Sequence, residues 1–234
     1  MRIFSIYRSI SGELGLFQQG SSTMFVRLAG CNLRCSWCDT ERSWVSHPEQ
    51  EQTIESIVAE IERVRGSVRQ VLITGGEPLL QIGRLERLCG ELSQRGMILQ
   101  IETNGSILPT SGLLSYVSYW VVDYKFGGSG EQSKMRPVSD YLGFGPKVCF
   151  KFPCANMEDF SEAVRIGEEL VLLFVSKGII CSPMREGFIL FSPVSPLKPN
   201  ALLAAMDKAG RSHAWIQRAA LNIQLHKIIQ LVED

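Results

Sequence analysis

Apolar residues along this chain fall into two alternating patterns. Short, nearly continuous runs such as "TMFVRLAG" (23–30), "VRQVLITGG" (68–76), "MILQIETNG" (97–105), "KVCFKF" (147–152), "LVLLFVS" (170–176) and "GFILFSPV" (187–194) read as strands buried on both faces. The apolar stretch "LLSYVSYWVVDYK" ends as one more strand. Between them apolar residues recur at helical spacing. Ile54, Ile57, Val58, Ile61 and Val64 form one such stripe, ended by Gly66, and Leu85, Leu88 and Leu92 form a second. Helices are also predicted over "NMEDFSEAVRIGEE" and "PNALLAAMDKAG". Strands alternating with helices define an α/β chain with a mostly parallel sheet. In such a sheet ligands gather at the C-terminal edge of the strands. "CNLRCSWCDT", "TGGEP", "ETNG", "DYK" and "SPVSP" each follow a predicted strand, so five special loops converge on one edge.

Composition narrows the classes. The 234 residues fit one domain spanning 1–234, with no repeat or linker-like shift. Lys plus Arg and Asp plus Glu number 24 each, which leaves no basic field for a nucleic acid backbone. The N-terminal stretch "MRIFSIYRSISGELG" lacks the apolar core of a signal peptide. The most apolar segment, "ELVLLFVSKGIICSP", is interrupted by Ser176, Lys177 and Gly178 well short of a membrane span, so no membrane association is expected. Seven cysteines, an odd number, argue for free thiols in a reducing cytoplasm.

Three of those cysteines, Cys31, Cys35 and Cys38, stand in a C-x3-C-x2-C run with no fourth beside them. A short curled loop with this spacing can wrap one face of a 4Fe–4S cubane and leave one iron free to bind a small molecule. Structural zinc is the competing reading. It wants four ligands, and here His47 or a distant cysteine would have to complete the set. Cys89, Cys149, Cys154 and Cys181 lack paired spacing and read as packed thiols. "VLITGGEPLL" adds a strand, a glycine turn and Pro78 at a helix start. Its glycines allow backbone carbonyls close to a ligand, and Glu77 offers a carboxylate to an ammonium.

The cysteine run after an apolar strand, Trp37 before its third cysteine and the "GGEP" loop together resemble the radical S-adenosylmethionine superfamily. The flanks, "SISGELGLFQQGSSTMFVRLAGCNLRCSWCDTERSW", "LQIETNG" and "LNIQLHK", look like the 7-carboxy-7-deazaguanine synthase family. That resemblance implies an abridged, partly open (β/α) TIM-type barrel. It implies radical ring contraction of 6-carboxy-5,6,7,8-tetrahydropterin with loss of ammonia, a lyase step towards queuosine and other 7-deazapurines. The implied cofactors are a 4Fe–4S cluster, S-adenosylmethionine and Mg2+. The implied partners are a flavodoxin- or ferredoxin-type electron donor and a second copy of the chain.

Carried over by position, Cys31, Cys35 and Cys38 hold the cluster and Thr40 the Mg2+. Trp37, Asp39, Gly76, Glu77, Thr103 and Lys125 face the cofactor. Ser11, Gly12, Glu13, Arg27, Thr74, Gln224 and His226 face the substrate, Glu13 through the pterin N–H edge and Arg27 through the carboxylate. The chain departs from the family pattern at Ser11 (usually glutamine), at Leu14 (usually glycine), by two extra residues before Phe25, and by "DYK" in place of Ser-Pro-Lys. A glycyl-radical-enzyme activase shares the cysteine run and stays open as an alternative, as does a non-enzymatic zinc module.

Overall fold

The computed structural model describes residues 1–179 and 188–228, without the side chains of His226 and Lys227; Cys181 lies outside them. Eight strands form one open sheet in sequence order: β1 (Ile3–Ile10), β2 (Ser22–Leu28), β3 (Gln70–Gly75), β4 (Ile98–Thr103), β5 (Tyr119–Asp123), β6 (Val148–Cys154), β7 (Ile189–Pro193) and β8 (Ala220–Leu221). Strands β2 to β8 run parallel, and β1 pairs antiparallel along β2. The helices α1 (Ile54–Arg65), α2 (Ile82–Gln94), α3 (Ser111–Tyr116), α4 (Met157–Ser176) and α5 (Pro199–Ala209) occupy the crossovers, and α6 (Leu225–Ile228) follows β8. This is the partly open α/β barrel that the sequence implied.

Local chemistry starts and ends these helices. Thr53, Thr110 and Asn156 each accept a bond from a backbone N–H in the first turn of α1, α3 and α4 at 3.1, 3.1 and 2.8 Å. Gly66, at φ +59°, closes α1.

Alternation along the strands gives the sheet two different faces. Met24, Val26 and Leu28, Val71 and Ile73, Leu99 and Ile101, Trp120 and Val122, and Phe150 and Phe152 all join the main core beneath the helices. The intervening residues point to the inner, concave side. Below the rim these include two apolar clusters: Phe25 and Leu72 pack with Phe17, and Tyr119, Val121, Cys149 and Leu190 form a second small group, with Thr23, Gln70 and Gln100 as polar members of the same face. Near the strand ends they turn polar: Arg27, Thr74, Glu102, Asp123, Lys151 and Ser192. The runs that read as two-sided apolar are therefore apolar on the helix side and mixed on the inner side.

Two elements differ from the sequence reading. β1 was not anticipated, because "IFSIYRSI" mixes polar and apolar residues as an edge strand does. The expected strand "LVLLFVS" is instead the end of α4. Phe160, Ala163, Val164, Gly167, Leu170 and Phe174 are buried at spacings of three and four, whereas Leu172 and Val175 are 64% and 57% exposed. The period of 3.6 overrides the run's strand-like composition. In a strand Leu170 and Leu172 would share a face; in this helix they do not. We expect Leu170→Ala to cost about 2–5 kcal/mol and Leu172→Ala less than about 0.5 kcal/mol, measured by urea unfolding. Equal losses would contradict the helix.

Candidate active site

The C-terminal edge of the sheet opens into a cavity of about 530 Å³. Its lining includes Cys31, Cys35, Cys38, Thr40, Arg27, Glu13, Gly76, Lys125 and Gln224, so loops far apart in sequence share one space.

The cysteine loop follows β2 directly. Gly30 and Cys31 donate backbone bonds to Ser43 and Trp44 carbonyls at 2.8 and 3.1 Å, and Cys38 N–H turns back to Cys35 O at 3.1 Å. The far side of the loop rests on the segment after β5. Ser36 donates through N–H to Ser129 O and through Oγ to Gly128 O, at 3.1 and 2.7 Å, and Arg34 N–H reaches Glu131 at 2.6 Å. The "FGGSGE" stretch that follows the unusual "DYK" thus buttresses the cysteine loop.

All three cysteines line the cavity, and among the described residues no further cysteine or histidine does. Burial pushes the Cys35 thiol up to about 11 and raises Cys31, with Lys125 the cation opposing the shift at both. Such thiols become thiolates when a cationic iron centre binds. Among the described residues no group of three His, Cys, Asp or Glu side chains could hold a single metal ion. Three thiols carried by one short loop into one cavity suit the face of a 4Fe–4S cluster.

The glycine turn after β3 locks onto this loop. Gly76 N–H donates to Leu28 O at 3.0 Å and Glu77 N–H to Gly30 O at 2.8 Å. A Cβ on Gly76 would lie 2.1 Å from Gly30 O, and one on Gly75, at φ +135°, would lie 2.2 Å from Leu28 O. Glu77 itself is fully buried and does not line the cavity. Its carboxylate accepts from Leu79 N–H, Thr103 Oγ1 and Asn104 N–H at 2.9, 2.8 and 2.7 Å, while burial lifts its pKa to about 7. Three protein donors hold the Glu77 carboxylate in place behind the glycine turn. It ties the ends of β3 and β4 together, and Gly76 and Thr103 present their surfaces to the cavity.

Around the cysteines, Lys125 pairs with Asp123 at 2.9 Å and lies 4.7 Å above the Trp37 ring centre. Trp37 Nε1 is buried without a hydrogen-bond partner, an orphaned donor beside the space for a cofactor. Thr40 precedes the short 3-10 turn Glu41–Ser43 but makes no capping bond. Its hydroxyl donates to Asp39 at 3.0 Å, and Arg27 reaches it at 3.5 Å and Tyr7 at 3.3 Å. Tyr7 stacks on Phe25 with rings 5.1 Å apart, holding the arginine's neighbour in place.

On the substrate side, Ser11 Oγ donates to Glu13 O at 3.1 Å, and Gly12 O accepts from Gln19 and from Leu225 N–H at 2.9 and 2.8 Å. Glu13 accepts from Lys151, Gln224 and Asn222 at 2.7, 2.6 and 3.1 Å. Gln224 also donates to Asp39 at 3.3 Å, and Thr74 to Glu102 at 3.1 Å. Leu14, one of the departures, contributes only its backbone N–H, bonded to Asn222 at 2.8 Å. His226 falls in α6, and its side chain lies outside the described residues.

Sequence reasoning missed Glu102, Asp123 and Lys151, all of which line the cavity. A signal existed: Lys151 interrupts "VCFKF", and a lysine inside an apolar strand needs a partner. Burial lifts Glu102 to about 7, whereas Lys151 and the amide donors outweigh burial at Glu13 and hold it down at about 2.

Residues 26–113 match the model of the radical S-adenosylmethionine superfamily. The fold and the three-cysteine cavity agree, and the class is that of radical S-adenosylmethionine enzymes, which carry a 4Fe–4S cluster and S-adenosylmethionine. A 7-carboxy-7-deazaguanine synthase from Pyrobaculum aerophilum is 35% identical over 188 residues, covering 80% of each chain. One from Clostridium acetobutylicum is 30% identical, covering 97% of this chain and 95% of its own. In structure the chain is similar to QueE from Escherichia coli, with a TM-score of 0.66 at 23% identity over 95% of this chain and 92% of that one. The chain belongs to the 7-carboxy-7-deazaguanine synthase family.

If the glycine turn positions the cysteine loop, Gly76→Ala pushes Gly30 and Cys31 aside. We expect the variant to retain under about half the iron and sulfide of the parent after anaerobic reconstitution, with unfolding costing about 2 kcal/mol less. Full iron loading at unchanged stability would remove the turn from this role.

Proposed function

We propose that this chain contracts 6-carboxy-5,6,7,8-tetrahydropterin to 7-carboxy-7-deazaguanine, with loss of ammonia, in the cavity at the sheet's C-terminal edge. The observation that carries the reading is the shared cavity: three cysteines, a buried arginine and an ionised glutamate border the same space.

When bound, the cluster and S-adenosylmethionine supply a reducing electron and a radical that abstracts hydrogen. Cys31, Cys35 and Cys38 would hold the cluster, with Cys35 buried and Cys31 and Cys38 half-buried at the cavity wall. Trp37, Asp39, Gly76, Glu77, Thr103 and Lys125 orient the cofactor, with Lys125 fixed by Asp123 and by the Trp37 face.

Arg27, 8% exposed, grips the substrate carboxylate, for which a guanidinium fork is suited. Glu13, held ionised, accepts N–H donors of the pterin's guanidine-like edge. Ser11 and Gly12 shape the loop that carries it, and Thr74, Gln224 and His226 complete the substrate contacts. The Thr40 hydroxyl, beside Asp39 and Arg27, is an oxygen ligand for Mg2+ when the substrate supplies others.

The active form is a homodimer that draws its electron from a flavodoxin- or ferredoxin-type protein. A reducing cytoplasm suits the six described cysteines, none of which is in a disulfide. No helix among the described residues is long and apolar enough to cross a membrane.

Anaerobic turnover of the reconstituted protein with dithionite, S-adenosylmethionine and the pterin, with and without Mg2+, tests the proposal. We expect a deazaguanine chromophore and stimulation by Mg2+. Cofactor cleavage without any deazapurine would keep the class and overturn the substrate. Thr40→Ala is expected to abolish the Mg2+ stimulation; undiminished stimulation would remove Thr40 as the ligand.

A further inference from the structure

Lys151 lies in the middle of β6 with only 7% of its surface exposed, pointing to the inner side of the sheet. Its ammonium is 2.7 Å from Glu13 and 3.4 Å from Asp123. Placing a lysine there leaves the rest of β6 apolar, and without partners a buried ammonium is strongly disfavoured. Its partners come from the loop after β1 and from the end of β5, two segments that depart from the family pattern.

The cavity is crowded with acids. Glu102 from β4, Asp123 from β5 and Asp39 from the cysteine loop all border it together with Glu13. Of the cations that line it, Arg8 and Arg42 are exposed, Lys125 is committed to Asp123 and Trp37, and Arg27 reaches Thr40 and Tyr7. Lys151 is the cation bonded to Glu13, beside the neutral amides of Gln224 and Asn222. Packed carboxylates without a counter-charge share protons. A protonated Glu13 would turn one oxygen from acceptor into donor and lose half of its capacity for paired N–H groups.

We infer that Lys151 is a positioning residue for substrate recognition: it keeps Glu13 ionised and its carboxylate turned so that the pterin edge meets two acceptors. Asp123 completes the arrangement by holding the ammonium from the other side. Glu13 faces Lys151 from β6, Asp39 from the cysteine loop, Glu102 from β4 and the two amides from the segment after β8. Burial and Asp39 raise its proton affinity, and Lys151 with Gln224 lowers it by more. Removing the lysine therefore moves Glu13 upward, and binding weakens at low pH and recovers as pH rises.

This inference rests on the proposed contact of Glu13 with the substrate, and the test separates the two. KM for 6-carboxytetrahydropterin and the pH dependence of kcat/KM are measured for reconstituted Glu13→Gln, Lys151→Arg, Lys151→Met and the double variant Lys151→Met/Glu102→Gln. The double variant removes a neighbouring acid together with the lysine and leaves the Asp123–Lys125 pair in place, so it stays folded if the uncompensated acid destabilises the single one. Cofactor cleavage without substrate checks that the cluster end is intact in each.

We expect Lys151→Met and the double variant to raise KM about 10- to 100-fold, the scale of losing a hydrogen bond to a charged group. We expect kcat to change less than about three-fold, and Lys151→Arg to restore KM to within about five-fold of the parent. The methionine variants also gain an acid limb in kcat/KM beyond any that Glu102 gives the parent, so that the defect shrinks above about pH 7. A KM defect in Glu13→Gln without one in the methionine variants, or a methionine defect that does not change with pH, would overturn the role of Lys151. An unchanged KM in Glu13→Gln would instead overturn the substrate contact of Glu13 itself.

Discussion

The contact on which the site depends is made by backbone alone. Where β2 and β3 end, Gly76 and Glu77 donate their N–H groups to the carbonyls of Leu28 and Gly30, and the two chains approach so closely that neither Gly75 nor Gly76 has room for a Cβ. That approach fixes the cysteine loop against the loop that faces the cofactor. Buried Glu77 extends the lock to β4 through Thr103 and Asn104, so three strand ends behave as one rigid rim. Precision of this kind belongs on strand ends, because chemistry at the rim tolerates little displacement.

Above the rim, charge sets the division of labour. Carboxylates of similar intrinsic acidity are driven apart by their surroundings: Glu13 is held down at about 2 by Lys151 and amide donors, whereas burial lifts Glu102 and Glu77 to about 7. The ionised acid accepts hydrogen bonds, and the raised ones spare the cavity further negative charge. Asp123, in the stretch where the resemblance implied Ser-Pro-Lys, is accommodated because Lys125 and Lys151 flank it. The departure from the family pattern is thus balanced inside the protein before any ligand arrives.

Much of this was legible in the sequence. The cysteine run, the glycine turn and Arg27 sit at the ends of strands whose composition announces them, and the strand–helix alternation defines the sheet. What escaped had a common cause: a residue's direction depends on register, which composition does not carry. Lys151 and Glu102 matter because they fall on inner positions near strand ends, one residue away from positions in the helix-side core. The end of α4 was misread because six apolar letters in a row suit strand and helix alike, and only the packed structure shows which side of Leu172 is wet. β1 escaped because its polar residues border the cavity instead of a core.

Glu13 and Gln224 are bonded across 211 positions of chain, whereas the cysteine loop, the glycine turn and the β4 end all lie within the first half. Joining Glu13 to Gln224 closes a much longer loop than any bond of the rim and costs more chain entropy, so the wall proposed to meet the substrate is the part of the site most dependent on the whole sheet being formed.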